Sequence, residues 1–173
     1  MQLPKGVSIT SLTKNQDARG ELTEIFRKEW FEDLAPIQWN YVISQENTFR
    51  GFHVHLKHAD YLTVLTGSMY LGLKDMRKNS PTFNFSTLIH LKSSIPQAVT
   101  IPPGVGHGFC FTENTSYIYS VTDYWKKEDE FGCIWNDADL KINWPLKKPI
   151  LSEKDTNAMS YQHLFQQITK KLL

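Results

Sequence analysis

Cysteine is nearly absent from this chain: of 173 residues only Cys110 and Cys133 are cysteines. Neither sits in a CxxC pair or at metal-ligand spacing from a histidine, and both have apolar or aromatic neighbours, so they read as buried thiols in a reducing compartment rather than a disulfide. Surplus charge is missing as well. Nineteen Lys and Arg against 18 Asp and Glu leave a formal net charge of +1, which argues against nucleic acid or an acidic membrane as partner. No apolar run approaches the roughly 20 residues of a membrane span, and the opening MQLPKGVSIT lacks the apolar core of a signal peptide. Repeats, low-complexity tracts and long linkers are also lacking. The expectation is a soluble, cytoplasmic protein with one domain over residues 1–173.

Short β-type runs punctuated by Gly, Pro, Asn and Ser fill the middle of the chain. The plainest are 38–43, 61–65, 68–73, 87–91, 98–101, 108–111 and 116–122. Several alternate apolar and polar residues, the pattern of strands with one face buried. Helical signals lie at the ends: a short turn at 29–34 before Pro36, and a stripe of Leu164, Ile168 and Leu172 at i, i+4, i+8 with Phe165 beside it. The predicted fold is all-β, a jelly-roll barrel with short peripheral helices, one at the C-terminus.

The densest chemistry is RGFHVHLKHAD, residues 50 to 60. On a strand His53 and His55 point to the same face, and Asp60 and Gly67 follow. Downstream, PPGVGHGF (102–109) brings His107 after a Pro/Gly turn. The set resembles the cupin superfamily, whose motifs are HxH with an acid and a glycine, then PxGxxH. Here the acid is Asp where that pattern has Glu, and the leading glycine is missing. Three readings stand at this point. His53, His55, Asp60 and His107 could hold Zn, Fe, Mn or Ni; they could line a polar barrel, the ordinary reading for His58; or they could move protons without a metal.

Eight further stretches, in order, carry a closer resemblance. They are DARGELTEIF (17–26), QWNYVIS (38–44), RGFH (50–53), DMRKNSPTF (75–83), IPPGVGHGF (101–109), TDYW (122–125), WNDADLKINWP (135–145) and PILSEKD (149–155). Together they resemble the dTDP-4-dehydrorhamnose 3,5-epimerases, cupin-fold enzymes of nucleotide-sugar metabolism. That resemblance implies proton abstraction beside the ketone of a 4-keto-6-deoxy sugar linked to a nucleoside diphosphate, usually dTDP, with return of the proton on the other face and no cofactor. It implies His53 as base, Asp155 as its partner and Tyr124 as opposite-face acid. Arg19 and Arg50 would contact the diphosphate, with Glu24, Gln38, Asn40, His55 and His107 lining the ligand site. Arg19 and its neighbours would reach the adjoining subunit of a homodimer. The tryptophans of WNDADLKINWP read as packing, while Phe26 and Tyr119 read as either core or nucleoside-stacking residues.

The chain departs from the family pattern at two positions. Asp60 stands where the family places a lysine, and His55 replaces a glutamine. A cation near the forming enolate lowers its energy and a carboxylate raises it. Either a metal supplies the missing charge or His55 or Lys57 does; the second option keeps His53 as a base. RGFHVHLK also resembles the RG(W/F)HAHK of dTDP-sugar 3,4-ketoisomerases, but those lack the WND…WP…LSEKD tail present here, so the epimerase reading leads. A metal-dependent cupin and a non-catalytic sugar-nucleotide-binding module are the remaining alternatives.

Overall fold

A computed structural model describes residues 1–30 and 35–171. Two antiparallel five-stranded sheets face one another. The strands are β1 (Ser8–Ser11), β2 (Lys14–Asp17), β3 (Gly20–Thr23), β4 (Gln38–Ser44), β5 (Thr48–Val54), β6 (Asp60–Thr66), β7 (Ser68–Asp75), β8 (Ser86–Lys92), β9 (Gln97–Ile101), β10 (Val105–Phe111), β11 (Thr115–Val121) and β12 (Phe131–Gly132). The first sheet runs β1-β9-β6-β11-β4 and the second β12-β5-β10-β7-β8, while β2 and β3 form a separate hairpin. This is the all-β jelly-roll expected. Each of the seven runs read from the sequence lies on an observed strand.

Alternation explains where the core sits. Leu62, Val64, Met69, Leu71, Leu73, Leu91, Val99, Ile101 and Phe111 project between the sheets as one apolar cluster. Each such side chain contributes roughly 1.5–3 kcal/mol on leaving water. Leu62 and Tyr117 of that cluster also border a cavity that Arg50, His53 and Asp60 share.

The outer face of the second sheet is covered by the C-terminal segment. Helix α2 (Tyr161–Lys171) lays Tyr161, Leu164 and Ile168 on Phe52, Val54 and Cys133. The spacing of these three puts them on one helical face, as the stripe predicted; Leu172 lies outside the described residues. Trp135 and Trp144 pack around Phe49, and the Trp144 ring rests against Gly72, 2.2 Å from where a Cβ would stand. The tryptophans of the WND…WP block are therefore packing residues. Cys110 and Cys133 are buried free thiols, pushed up to about 11 and about 12 by burial. The turn expected over 29–34 appears as a 3-10 turn at Lys28–Trp30, and residues 31–34 lie outside the described residues.

One irregularity in β5 shapes everything that follows. His107 pairs with His53, and Phe109 pairs with Arg50, so three steps along β5 oppose two along β10. This is a β-bulge, and it resets the alternation of its strand. Residues three apart normally face opposite ways; here Arg50 and His53 both face the barrel interior, while Phe49 and Phe52 both face the C-terminal covering. Gly51 makes the bulge possible. Its φ is +114°, and a Cβ there would lie 3.0 Å from Gly108 Cα and from His107 O.

Candidate active site

The barrel encloses a cavity of about 190 Å³ with a mixed polar and apolar lining. His53, His55 and Arg50 reach it from β5 and its end, His107 and Phe109 from β10, Asp60 and Leu62 from β6, and Tyr117 and Tyr119 from β11. His58, Trp125 and Glu130 complete much of the remaining wall.

His53 is held on both sides. Its Nε2 lies 2.8 Å from Asp155 Oδ1, and its Nδ1 lies 3.4 Å from Glu130 Oε1. Asp155 belongs to the short helix α1 (Glu153–Thr156), whose N-cap Ser152 accepts the Asp155 N–H at 3.1 Å. The serine therefore caps the helix, which leaves the Asp155 carboxylate free to turn toward the histidine. Burial raises the pKa of that carboxyl, but the hydrogen bond and charge of His53, with help from Ser152 and the Gly51 N–H, hold it below the usual carboxylate range. A carboxylate kept ionised there fixes Nε2 as the protonated nitrogen, so Nδ1 is the lone pair available for a proton.

Glu130 was not legible in the sequence, where it sits in the acidic run Glu128-Asp129-Glu130. It accepts a hydrogen bond from Trp125 Nε1 at 2.9 Å and pairs with Lys154 Nζ at 2.7 Å. Burial raises its pKa, but Lys154, His53 and Trp125 outweigh burial and keep the group below the usual range. An imidazolium formed at His53 would thus lie between two carboxylates. Gly132 also went unnoticed: a Cβ there would approach His53 Cδ2 to 2.9 Å, so the glycine gives the ring its seat.

The other expected residues divide into two groups. Arg50 lines the cavity, donates to Ser44 Oγ at 2.9 Å and to Ile43 O at 3.4 Å, and keeps further N–H groups unspent among the described residues. Gln38 and Asn40 share the inward face of β4 with Val42; Gln38 donates to Asn40 at 3.1 Å and accepts the Trp125 N–H at 3.0 Å, while Asn40 Nδ2 is buried without a partner among the described residues. His55 and His107 are buried in the cavity wall. Arg19 and Glu24 do not reach it within one chain. Arg19 is paired with Asp17 on the exposed β2–β3 hairpin, and Glu24 pairs with Arg27. Tyr124 immediately precedes Trp125 but is itself 61% exposed and does not line the cavity. Tyr119 is a wall residue that also packs against the apolar core cluster, and Phe26 packs edge-on against Trp39 and Tyr61.

The expected substitute for the family lysine needs correcting. Lys57 is exposed and outside the cavity. His55 is inside but pushed down to about 3, by burial first and then by His58 and His53, so it is neutral at neutral pH. Neither places a positive charge in the cavity. The four-residue metal set also separates. His55, Asp60 and His107 bring ligand atoms within 4.8 Å of one another, while His53 is turned to its two carboxylates.

The model of the dTDP-4-dehydrorhamnose 3,5-epimerase family matches residues 2–163. The dTDP-4-dehydrorhamnose 3,5-epimerase of Pseudomonas aeruginosa is 32% identical over 154 residues, 84% of this chain and 85% of its own length. Two solved structures are similar throughout. ChmJ, a 3'-monoepimerase from Streptomyces bikiniensis in complex with dTDP-quinovose, has a TM-score of 0.87 at 27% identity, covering 98% of this chain and 89% of its own. The 3,5-epimerase RmlC of Legionella pneumophila, in complex with dTDP-4-keto-L-rhamnose, has a TM-score of 0.85 at 30% identity, covering 96% and 92%. Barrel, cavity and sequence agree, and the chain belongs to the dTDP-4-dehydrorhamnose 3,5-epimerase family.

Proposed function

We propose that this isomerase inverts a carbon beside the ketone of a nucleotide-linked 4-keto-6-deoxy sugar, with dTDP as the expected carrier, in the cytoplasm. The observation that carries this reading is the His53–Asp155 contact of 2.8 Å at the wall of a polar cavity. His53 Nδ1 takes the acidic proton, Asp155 orients the ring, and the two flanking carboxylates stabilise the imidazolium. Arg50 contacts the diphosphate through its free N–H groups. Gln38, Asn40, His55 and His107 bind the sugar and nucleoside. Tyr124, on the segment leading into the cavity through Trp125, returns the proton from the opposite face. No cofactor enters this scheme.

A homodimer completes it. Arg19 is 90% exposed on a hairpin remote from its own cavity, so a contact with substrate requires a second copy. Strand β4 edges its sheet and turns Trp39, Tyr41 and Ile43 outward at alternate positions, an apolar stripe suited to such pairing.

The test is incubation with dTDP-4-keto-6-deoxyglucose in deuterium oxide, followed by proton NMR. Loss of the signal at carbon 3, or at carbons 3 and 5, that disappears in His53→Asn supports the reading. A carbonyl moved to carbon 3 would favour the ketoisomerase reading, to which the shared cavity position of His53 and His55 lends weight. Binding without any exchange would leave a sugar-nucleotide-binding module.

A further inference from the structure

Three potential ligands converge in the cavity from three strands. His55 follows the end of β5, Asp60 opens β6, and His107 lies within β10 opposite His53. Their ligand atoms lie within 4.8 Å of one another and all three side chains are buried. Asp60 is 6% exposed, and no hydrogen bond to its carboxyl group is formed among the described residues. A carboxylate so placed is costly unless a cation or a donor faces it. His107 supplies a second sign of a missing partner: its Nδ1 is buried and finds no hydrogen-bond partner within 3.5 Å among the described residues.

We propose that His55, Asp60 and His107 form a binding site for a divalent first-row transition-metal ion inside the sugar cavity. Two imidazoles and one carboxylate are a sufficient donor set for such ions, with further coordination positions left open to solvent or substrate oxygens. Metal–ligand bonds of about 2.0–2.2 Å require the three side chains to close in by roughly an ångström, a change within reach of ordinary side-chain rotation. A second cluster, His55, His58 and Asp129, is the poorer host. There the Asp129 carboxylate already accepts the Lys57 N–H at 3.0 Å and the Leu56 N–H at 3.3 Å.

This ligand set excludes His53, so a bound ion and the His53–Asp155 pair coexist. The ion would supply positive charge on the side of the cavity where the family lysine is replaced by Asp60. That role rests on the epimerase reading; the site itself does not.

The deciding experiment reads metal rather than turnover. Tag-free protein is stripped with chelator, loaded with Co²⁺, desalted, and examined by visible absorption and metal analysis. The expectation is close to one ion per chain with ligand-field bands of histidine-bound cobalt. Both are lost in Asp60→Asn, a near-isosteric change, and in His107→Ala; both persist in His53→Asn. Circular dichroism confirms that each variant is folded. Absence of retained cobalt in the parent protein overturns the site, as do bands that survive Asp60→Asn or vanish in His53→Asn. Should Asp60→Asn misfold, His55→Gln serves in its place with the same expectation. Epimerisation by metal-free protein with no cobalt uptake would sink this proposal alone, whereas cobalt uptake without proton exchange would sink only the proposed reaction.

Discussion

His53 in β5 stands directly opposite His107 in β10, and the ladder between their strands slips by one residue just beyond that pair. The slip lets Arg50 share the cavity with His53, although the two are three residues apart. Replacing Gly51 should undo this. Gly51→Ala places a Cβ at φ +114° and 3.0 Å from the β10 backbone. The strain is about 1–3 kcal/mol, read by chemical denaturation, and the substrate KM should rise as Arg50 is displaced. Unchanged stability and KM would mean that the bulge does not position these side chains.

The proposed base and its carboxylate should separate kinetically. His53→Asn should lower solvent exchange into the sugar by roughly 10²–10⁴-fold. Asp155→Asn should lower kcat with little change in KM, because the ring loses its orientation while the binding groups remain. An equal rise in KM would assign Asp155 to binding instead.

Two tyrosines are candidates for the proposed second proton transfer. Tyr124→Phe should leave deuterium exchange largely intact while inversion falls, since abstraction precedes return from the other face. If Tyr119→Phe produces that split and Tyr124→Phe does not, the acid is the wall tyrosine on β11.

Acid stability should depend on Asp75, the first residue of DMRKNSPTF. Its buried carboxylate accepts from Arg77 Nε at 2.8 Å, Ser80 Oγ at 2.5 Å and Thr82 Oγ1 at 2.6 Å. Burial raises its pKa, but these bonds win and bring it from 3.8 to about 2. The folded value lies below the unfolded one, so the contribution is complete above pH 3.8 and is lost as pH falls through about 2. It amounts to about 2 kcal/mol. Asp75→Asn should remove it, flattening the dependence of denaturation midpoint on pH over that window.

Association should run through β4. Tyr41 and Ile43 are 62% and 65% exposed on an edge strand. Tyr41→Glu with Ile43→Glu should shift sedimentation from dimer to monomer and weaken nucleotide-sugar binding with it. A parent protein that sediments as a monomer would rule out the shared site.

Strands with regular alternation were legible from residues alone, and so was the buried stripe of α2. β5, which carries the proposed base His53, is missing from the plainest β-type runs, although its histidine motif was placed on a strand. Its run is crowded with polar side chains, and its bulge breaks the period-two pattern on which a strand is recognised. The His53–Asp155 pair was legible through motifs that resemble a family. Glu130 was not, because one carboxylate among three neighbours gives no sign of which one turns inward. Position along the chain also misled: Lys57 is two residues from His55 yet points to solvent, whereas Asp60 turns inward from the next strand.

The carboxylate that orients His53 lies 102 residues further along the chain. Strands β1 through β11 are all complete by Val121, well before α1 begins at Glu153. On the ribosome, both sheets can therefore assemble almost entirely while the histidine still lacks its partner. A nascent or prematurely terminated chain would own a barrel and a cavity but a His53 without its carboxylate. The proposed chemistry would become possible only once the segment that carries α1 has docked.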